Sequence, residues 1–173
     1  MDRIYFLVIK RFVFFILLQG LVFNNFDLFG MYDPLIYLTF ILTFPTKINK
    51  ITFMSISFIF GLTLDLFSNS LGFNAAACLT IAFSRSYIMA FIFGSFFDPV
   101  GLKLIRNYIS ESSFSQKLLY MISMILIHHF FLFSIESLSF KYLFLVTQKT
   151  LMTSLLTIIF CYASILFMIS NEK

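Results

Sequence analysis

Residues 34–45 read PLIYLTFILTFP. A membrane-crossing helix needs about 20 apolar residues, or about 17 where the bilayer thins. This run holds ten residues between two prolines, too few to cross unaided. It either extends into TKINK at 46–50 or dips in as a broken helix. Whether it crosses decides the parity of the chain, and so the fold.

The rest of the sequence sets the frame for that question. Of its 173 residues 60% are hydrophobic and 12% charged, with 27 phenylalanines and a mean hydropathy of +0.97. A soluble domain of this length would carry about twice the charge and could not bury so much apolar surface. The composition predicts an all-α integral membrane protein, a single polytopic domain over 1–173. Six spans are expected, near 4–23, 34–48, 51–67, 73–94, 117–138 and 143–169. SNSLG at 68–72 is a tight turn between the third and fourth. Residues 95–116 are the longest polar connection, with an interfacial helix expected at 100–109. The N-terminal run is interrupted by Lys10 and Arg11 and lacks a small-residue cleavage site, so it reads as a retained span rather than a signal peptide.

Lysine and arginine in the loops set orientation. With the N-terminus inside, the inner segments hold Arg3, Lys10, Arg11, Lys47, Lys50, Lys103, Arg106, Lys117 and Lys173, and the outer segments only Lys141. Both termini are therefore expected in the cytoplasm. An even number of crossings follows, so the 34–48 span is expected to cross. The net charge of +4 reflects this asymmetry and not a nucleic-acid footprint, since no basic stripe exists. Trp is absent, which leaves Tyr5, Tyr32, Tyr108 and Tyr142 as interfacial anchors.

Ionisable groups in hydrocarbon are costly and mark a function, a partner or a helix end. By depth, Gln19, Asp65, Asn74, Glu136 and Lys149 fall in the outer part of the bilayer. His128, His129 and Arg85 fall nearer the middle. At 100° per residue, Asn74, Cys78 and Arg85 share a stripe of the fourth span, and Asp65 shares one with Gly61, Phe58 and Met54. The SNSLG turn brings Asp65 level with Asn74, predicting a hydrogen bond. Glu136 and Lys149 can pair across the last two spans. If these groups converge they form a polar interior that opens outward, with His129 and Glu136 expected to face it. The alternatives are snorkelling of Glu136, Lys149 and Arg85 to the interfaces, neutral histidines bonded to a neighbouring helix, and a surface Asp65.

No catalytic residues are assigned. The chain has no GxSxG, no phosphate loop and no HExxH. His128 and His129 point about 100° apart, and Glu136 lies roughly 10 Å further along the helix, so no metal site is expected. Cys78 and Cys161 read as buried small residues without CxxC spacing. No cofactor is expected.

Three stretches together resemble the bacterial rod shape-determining MreD family in a short six-span form. They are LLQGLVFNNFDLFGMYDPLIYLTFILTFP at 17–45, GLTLDLFSNSLGFNAAA at 61–77 and IHHFFLFSIESLSF at 127–140. The pattern GLxxDxxxxxLGxxA falls on Gly61, Leu62, Asp65, Leu71, Gly72 and Ala75. The resemblance covers nearly the whole chain, and the long polar loop at 95–116 departs from it.

That resemblance implies a non-enzymatic scaffold of the wall-elongation machinery in the inner membrane, acting in cell shape and peptidoglycan synthesis. The implied partner is the bitopic protein MreC, with RodA, a penicillin-binding transpeptidase and, indirectly, MreB. It also implies a likeness to the six-helix S components of energy-coupling-factor transporters, which carry an outward pocket. The competing expectation is thus a small-molecule-binding transporter subunit, with Asp65, Arg85, His129 and Glu136 lining its site. A third is a lipid-precursor binder with Arg85 or the histidines near a phosphate.

Overall fold

The computed structural model describes residues 2–25, 32–46, 48–94 and 113–170. They form α1 (Asp2–Leu21), α2 (Leu38–Leu42), α3 (Lys50–Ser68), α4 (Phe73–Phe93), α5 (Phe114–Ser137) and α6 (Leu143–Ser170). A short 3-10 turn at Phe23–Asn25 continues α1. All but α2 are long and apolar enough to cross a membrane. No strand occurs among the described residues. The expected interfacial helix at 100–109 lies outside them, as do Lys47, Lys103, Arg106, Tyr108 and Lys173.

Side-chain pairs fix the direction of each helix. Phe12 packs edge-on against Phe60, and Gly20 meets Phe67, so α1 and α3 run the same way. Gly61 meets Ala75 and Phe53 meets Arg85, so α4 returns. Arg85 bonds Tyr120 and Gln116 bonds the Ile92 carbonyl, which sends α5 back up. Glu136 bonds Lys149 and His129 bonds Thr157, so α6 comes down. Because α1 and α3 are parallel, residues 32–49 must carry the chain back between them. The crossing number is even, and α1 begins at the same end as α6 finishes. We call this the near end and the opposite one the far end.

That return is where structure and expectation part. A helical span over 34–48 is not found; helix is confined to Leu38–Leu42. Pro34 and Pro45 bound it, and a residue before proline is driven out of the α region. The segment runs instead through the middle of the five long helices. Ile36 to Leu42 and Phe44 are each no more than 5% exposed. Its start bonds Gln19 and its end bonds Arg11, eight residues apart on α1, an advance of about 12 Å. Irregular backbone is tolerated at membrane depth only where protein encloses it. Phenylalanine supplies much of the enclosure. Phe40 stacks on Phe60 with centroids 4.4 Å apart, Phe12 stands edge-on to both, and Phe44 leans on Phe53 at 4.5 Å.

The long helices are patterned inside-out. On α6 the buried face is Val146, Thr150, Thr153, Ser154, Thr157 and Cys161, while Leu151, Leu155, Ile159 and Phe167 are exposed. Small residues let helices approach closely where lipid gives no hydrophobic drive between them. On α3 the buried stripe passes through Phe53, Ser57, Gly61 and Asp65. The expected Phe58 is 39% exposed, because α3 turns its Ser57 edge toward the centre. Helix α5 starts at Phe114 through a Ser113–Gln116 capping box, one turn earlier than expected.

Candidate functional site

The α3–α4 turn builds the far-end site. Gly61 packs so tightly on α4 that an added Cβ would lie 2.5 Å from the Ala75 Cα. That approach sets Asp65, one turn on, beneath the first turn of α4. Its carboxylate accepts from the backbone N–H groups of Asn74 at 3.0 Å and Ala75 at 2.9 Å. It also accepts from Asn74 Nδ2 at 3.0 Å and from the Ser70 hydroxyl. Helix N-termini carry unpaired donors and partial positive charge, so a carboxylate there caps and neutralises both. The expected Asp65–Asn74 bond is present. Asn69 and Gly72 adopt positive φ, 50° and 89°, and make the reversal between the helices.

Hydrogen-bond roles propagate inward from Asp65. A carboxylate only accepts, so Asn74 presents its NH2 to Asp65 and its oxygen to Tyr37, whose hydroxyl donates at 2.9 Å. The Tyr37 oxygen, with its proton committed, accepts from His128 Nε2 at 3.1 Å. His128 is then the Nε2–H tautomer, assigned from its partners. His129 is opposite. Its Nδ1 faces the Ile125 carbonyl at 2.9 Å and must donate, so Nε2 accepts from the Thr157 hydroxyl at 3.1 Å. The Thr157 oxygen accepts from the Leu35 N–H at 3.1 Å. Both histidines are fully buried. They can be so although 100° apart, because the central segment flanks α5 on one side and α6 on the other.

The remaining polar groups hold the same segment. Gln19 donates to the Pro34 carbonyl and to Asn24, and accepts from the Tyr37 N–H. At the other end, three successive carbonyls past the short helix are capped. Leu42 O accepts from Tyr120, Thr43 O from Arg11, and Phe44 O from Arg85 at 2.6 Å. Cations favour the carbonyl end of a helix, even a half-helix. Thus α1, α4, α5 and α6 each contribute a polar side chain to the segment between Pro34 and Pro45, and α3 contributes the rings of Phe53 and Phe60.

Above this network lies a vestibule of about 460 Å³ at the far end. Asn24, Asp33, Ser70, Asn74, Glu136, Lys149 and Thr153 give it polar walls, and Phe67, Phe73 and Phe133 give it aromatic ones. Glu136 and Lys149 pair at 3.3 Å across its rim, with side chains 51% and 42% exposed. Lys149 also stands over the Phe133 ring.

Thus Asn74, Glu136 and Lys149 line the vestibule, while Gln19, Asp65, His128 and His129 lie below it in the bonded network. One expectation needs refining and one correction. Glu136 lines the outward-opening vestibule but at its half-exposed rim rather than deep in the bundle, because α5 ends one residue later, at Ser137. Arg85 is not level with the histidines. It lies at the height of Tyr120, about 12 Å nearer the near end, and joins no site with Asp65 or Glu136. Of the motif residues, Leu62 and Leu71 are exposed.

Sequence reading missed Tyr37, Tyr120, Thr157 and the hydroxyl stripe of α6. The stripe could have been found: Thr150, Ser154, Thr157 and Cys161 recur at spacings of four, three and four. Tyr37 could not, since nothing local separates a buried tyrosine from an interfacial one. No group of three or more metal-ligating side chains forms among the described residues.

Fold and site define a multi-pass helical membrane protein whose polar interior secures a core segment that is only briefly helical. Comparison with protein-family models, curated proteins and solved structures finds no match in any of the three.

Proposed function

We propose that the chain is a non-enzymatic membrane scaffold of the MreD type, acting in wall elongation through MreC. The observation that carries this reading is the assignment of the buried polar groups. Asp65, Asn74, Tyr37, Gln19, His129 and Arg85 all hold backbone or one another. Groups engaged in this way build a rigid shape. The motif resemblance adds to it, because Gly61, Asp65, Gly72 and Ala75 are the residues that the α3–α4 turn needs. On this reading the protein lies in the bacterial inner membrane with both termini cytoplasmic. RodA, a penicillin-binding transpeptidase and, indirectly, MreB complete the assembly.

One observation favours a second reading, a small-molecule-binding subunit resembling a transporter S component. The vestibule has the volume and the mixed aromatic and amide lining of a ligand site. Affinity purification of the tagged protein from its host in mild detergent, with mass spectrometry of proteins and small molecules, separates the two. The scaffold reading expects MreC with wall-synthesis proteins. A stoichiometric small molecule or a transporter ATPase, recovered without MreC, overturns it.

A further inference from the structure

A second site sits at the near end and owes nothing to the vestibule. A groove of about 50 Å³ opens between the start of α3 and the body of α4, lined by Thr46, Ile48, Lys50, Phe53, Arg85 and Ser86. Arg85 is only 5% exposed. Its Nη2 bonds the Phe44 carbonyl, its Nε bonds the Tyr120 hydroxyl, and its guanidinium stands 4.7 Å from the Phe53 ring centroid, so these partners are all neutral. Among the described residues no carboxylate pairs with it. A buried charge without a counter-ion is costly.

Two further positive features meet there. Lys50, the first residue of α3, reaches the groove, and its Nζ stands 4.4 Å and 4.8 Å from the rings of Phe83 and Tyr87. The amino end of α3 adds its dipole; Asn49 satisfies the Ile51 N–H, and the first turn holds no acidic residue. A lysine at a helix start is the reverse of what the dipole favours. Arg85 and Lys50 thus both line the groove at the α3 amino end, and among the described residues that line it there is no carboxylate.

We propose that this groove binds the phosphate of a membrane lipid. The Arg85 guanidinium and the Lys50 ammonium contact the phosphate oxygens, with the α3 amino end beside them. A soluble phosphate would make the same polar contacts. The lipid is favoured because exposed apolar residues adjoin Lys50: Ile51 follows it in α3, and Phe83 and Tyr87 are the rings its Nζ stands against, at 73%, 48% and 61% exposed. The inference is independent of the scaffold reading.

The test is native mass spectrometry of the delipidated full chain titrated with phosphatidylglycerol, with inorganic phosphate as competitor. One lipid should bind ahead of the non-specific series. Lys50→Gln should weaken that step about tenfold, the loss expected for one charge-assisted hydrogen bond. Lys141→Gln, at the far end, should leave it unchanged. Lys50→Gln removes an unfavourable charge from a helix start, so folding should be kept. Ser86→Asp, which places a carboxylate in the groove, should expel the lipid and stabilise the lipid-free protein. An equal loss in both lysine variants, or none in Lys50→Gln, overturns the site. Displacement by millimolar inorganic phosphate overturns the lipid in favour of a soluble phosphate.

Discussion

Gly61 of α3 lies against Ala75 of α4 with no room for a side chain; a Cβ would fall 2.5 Å from the Ala75 Cα and 2.7 Å from its nitrogen. The obstacle is backbone, which cannot swing aside. Gly61→Ala should therefore destabilise the protein by about 1–3 kcal/mol, the usual cost of overpacking. Gly20→Ala is the control. The three atoms nearest its Cβ all belong to the Phe67 side chain, the first at 2.8 Å, and that ring can rotate toward lipid. Unfolding midpoints in mixed detergent should place Gly61→Ala clearly below Gly20→Ala, and the reverse order would contradict the packing described.

Asp65 should prove the costlier loss. Asp65→Ala removes the acceptor for two backbone N–H groups at the start of α4 and leaves Asn74 without its partner. A lost cap and orphaned buried donors together cost about 2–3 kcal/mol. Asp65→Asn keeps one accepting oxygen and should fall between. If Asp65→Ala unfolded like the parent protein, the α3–α4 cap would carry no weight.

The two histidines should be opposite tautomers. The chain contains only these two, so nitrogen NMR of histidine-labelled protein gives two resolvable ring patterns. His128 is expected as Nε2–H and His129 as Nδ1–H, from the Tyr37, Ile125 and Thr157 contacts. Tyr37→Phe should disturb the His128 signals and leave those of His129 in place. One shared tautomer would break the chain of roles that starts at Asp65.

Glu136→Ala should fold and melt within about 0.5 kcal/mol of the parent, since exposed ion pairs contribute little and both partners are roughly half exposed. Any loss of partner recovery in the purification would then report on the vestibule rim as a contact surface. A large loss of stability would mean that the pair is buried by something other than this chain.

Much of the fold was legible because lipid enforces long apolar runs, and their ends fall within a few residues of those expected. Capping chemistry would have improved one of them: Ser113 and Gln116 stand three apart and set the start of α5. The α3–α4 turn was legible for a related reason, since Asp65, Gly72 and Asn74 are neighbours in sequence. What local pattern could not convey was the path of residues 34–45. Their burial depends on Gln19, Arg85, Tyr120 and Thr157, whose separations from the segment run from 15 to 122 residues. Depth along each helix correctly grouped Asp65 with Asn74, but misjudged Arg85, because depth says nothing about which neighbour a long side chain will meet.

The central segment also constrains how the protein is made. Its N–H and carbonyl groups find partners on α1 and α4, and also on α5 and α6, which leave the ribosome after them. Until Tyr120 and Thr157 emerge, the Leu42 carbonyl lacks its donor and the Leu35 N–H its acceptor, and the segment is too short to cross lipid as a helix. The packing of residues 34–45 into the bundle is therefore completed late, once α6 has emerged. Chains arrested before residue 157 should leave the segment open to protease, whereas full-length chains should protect it.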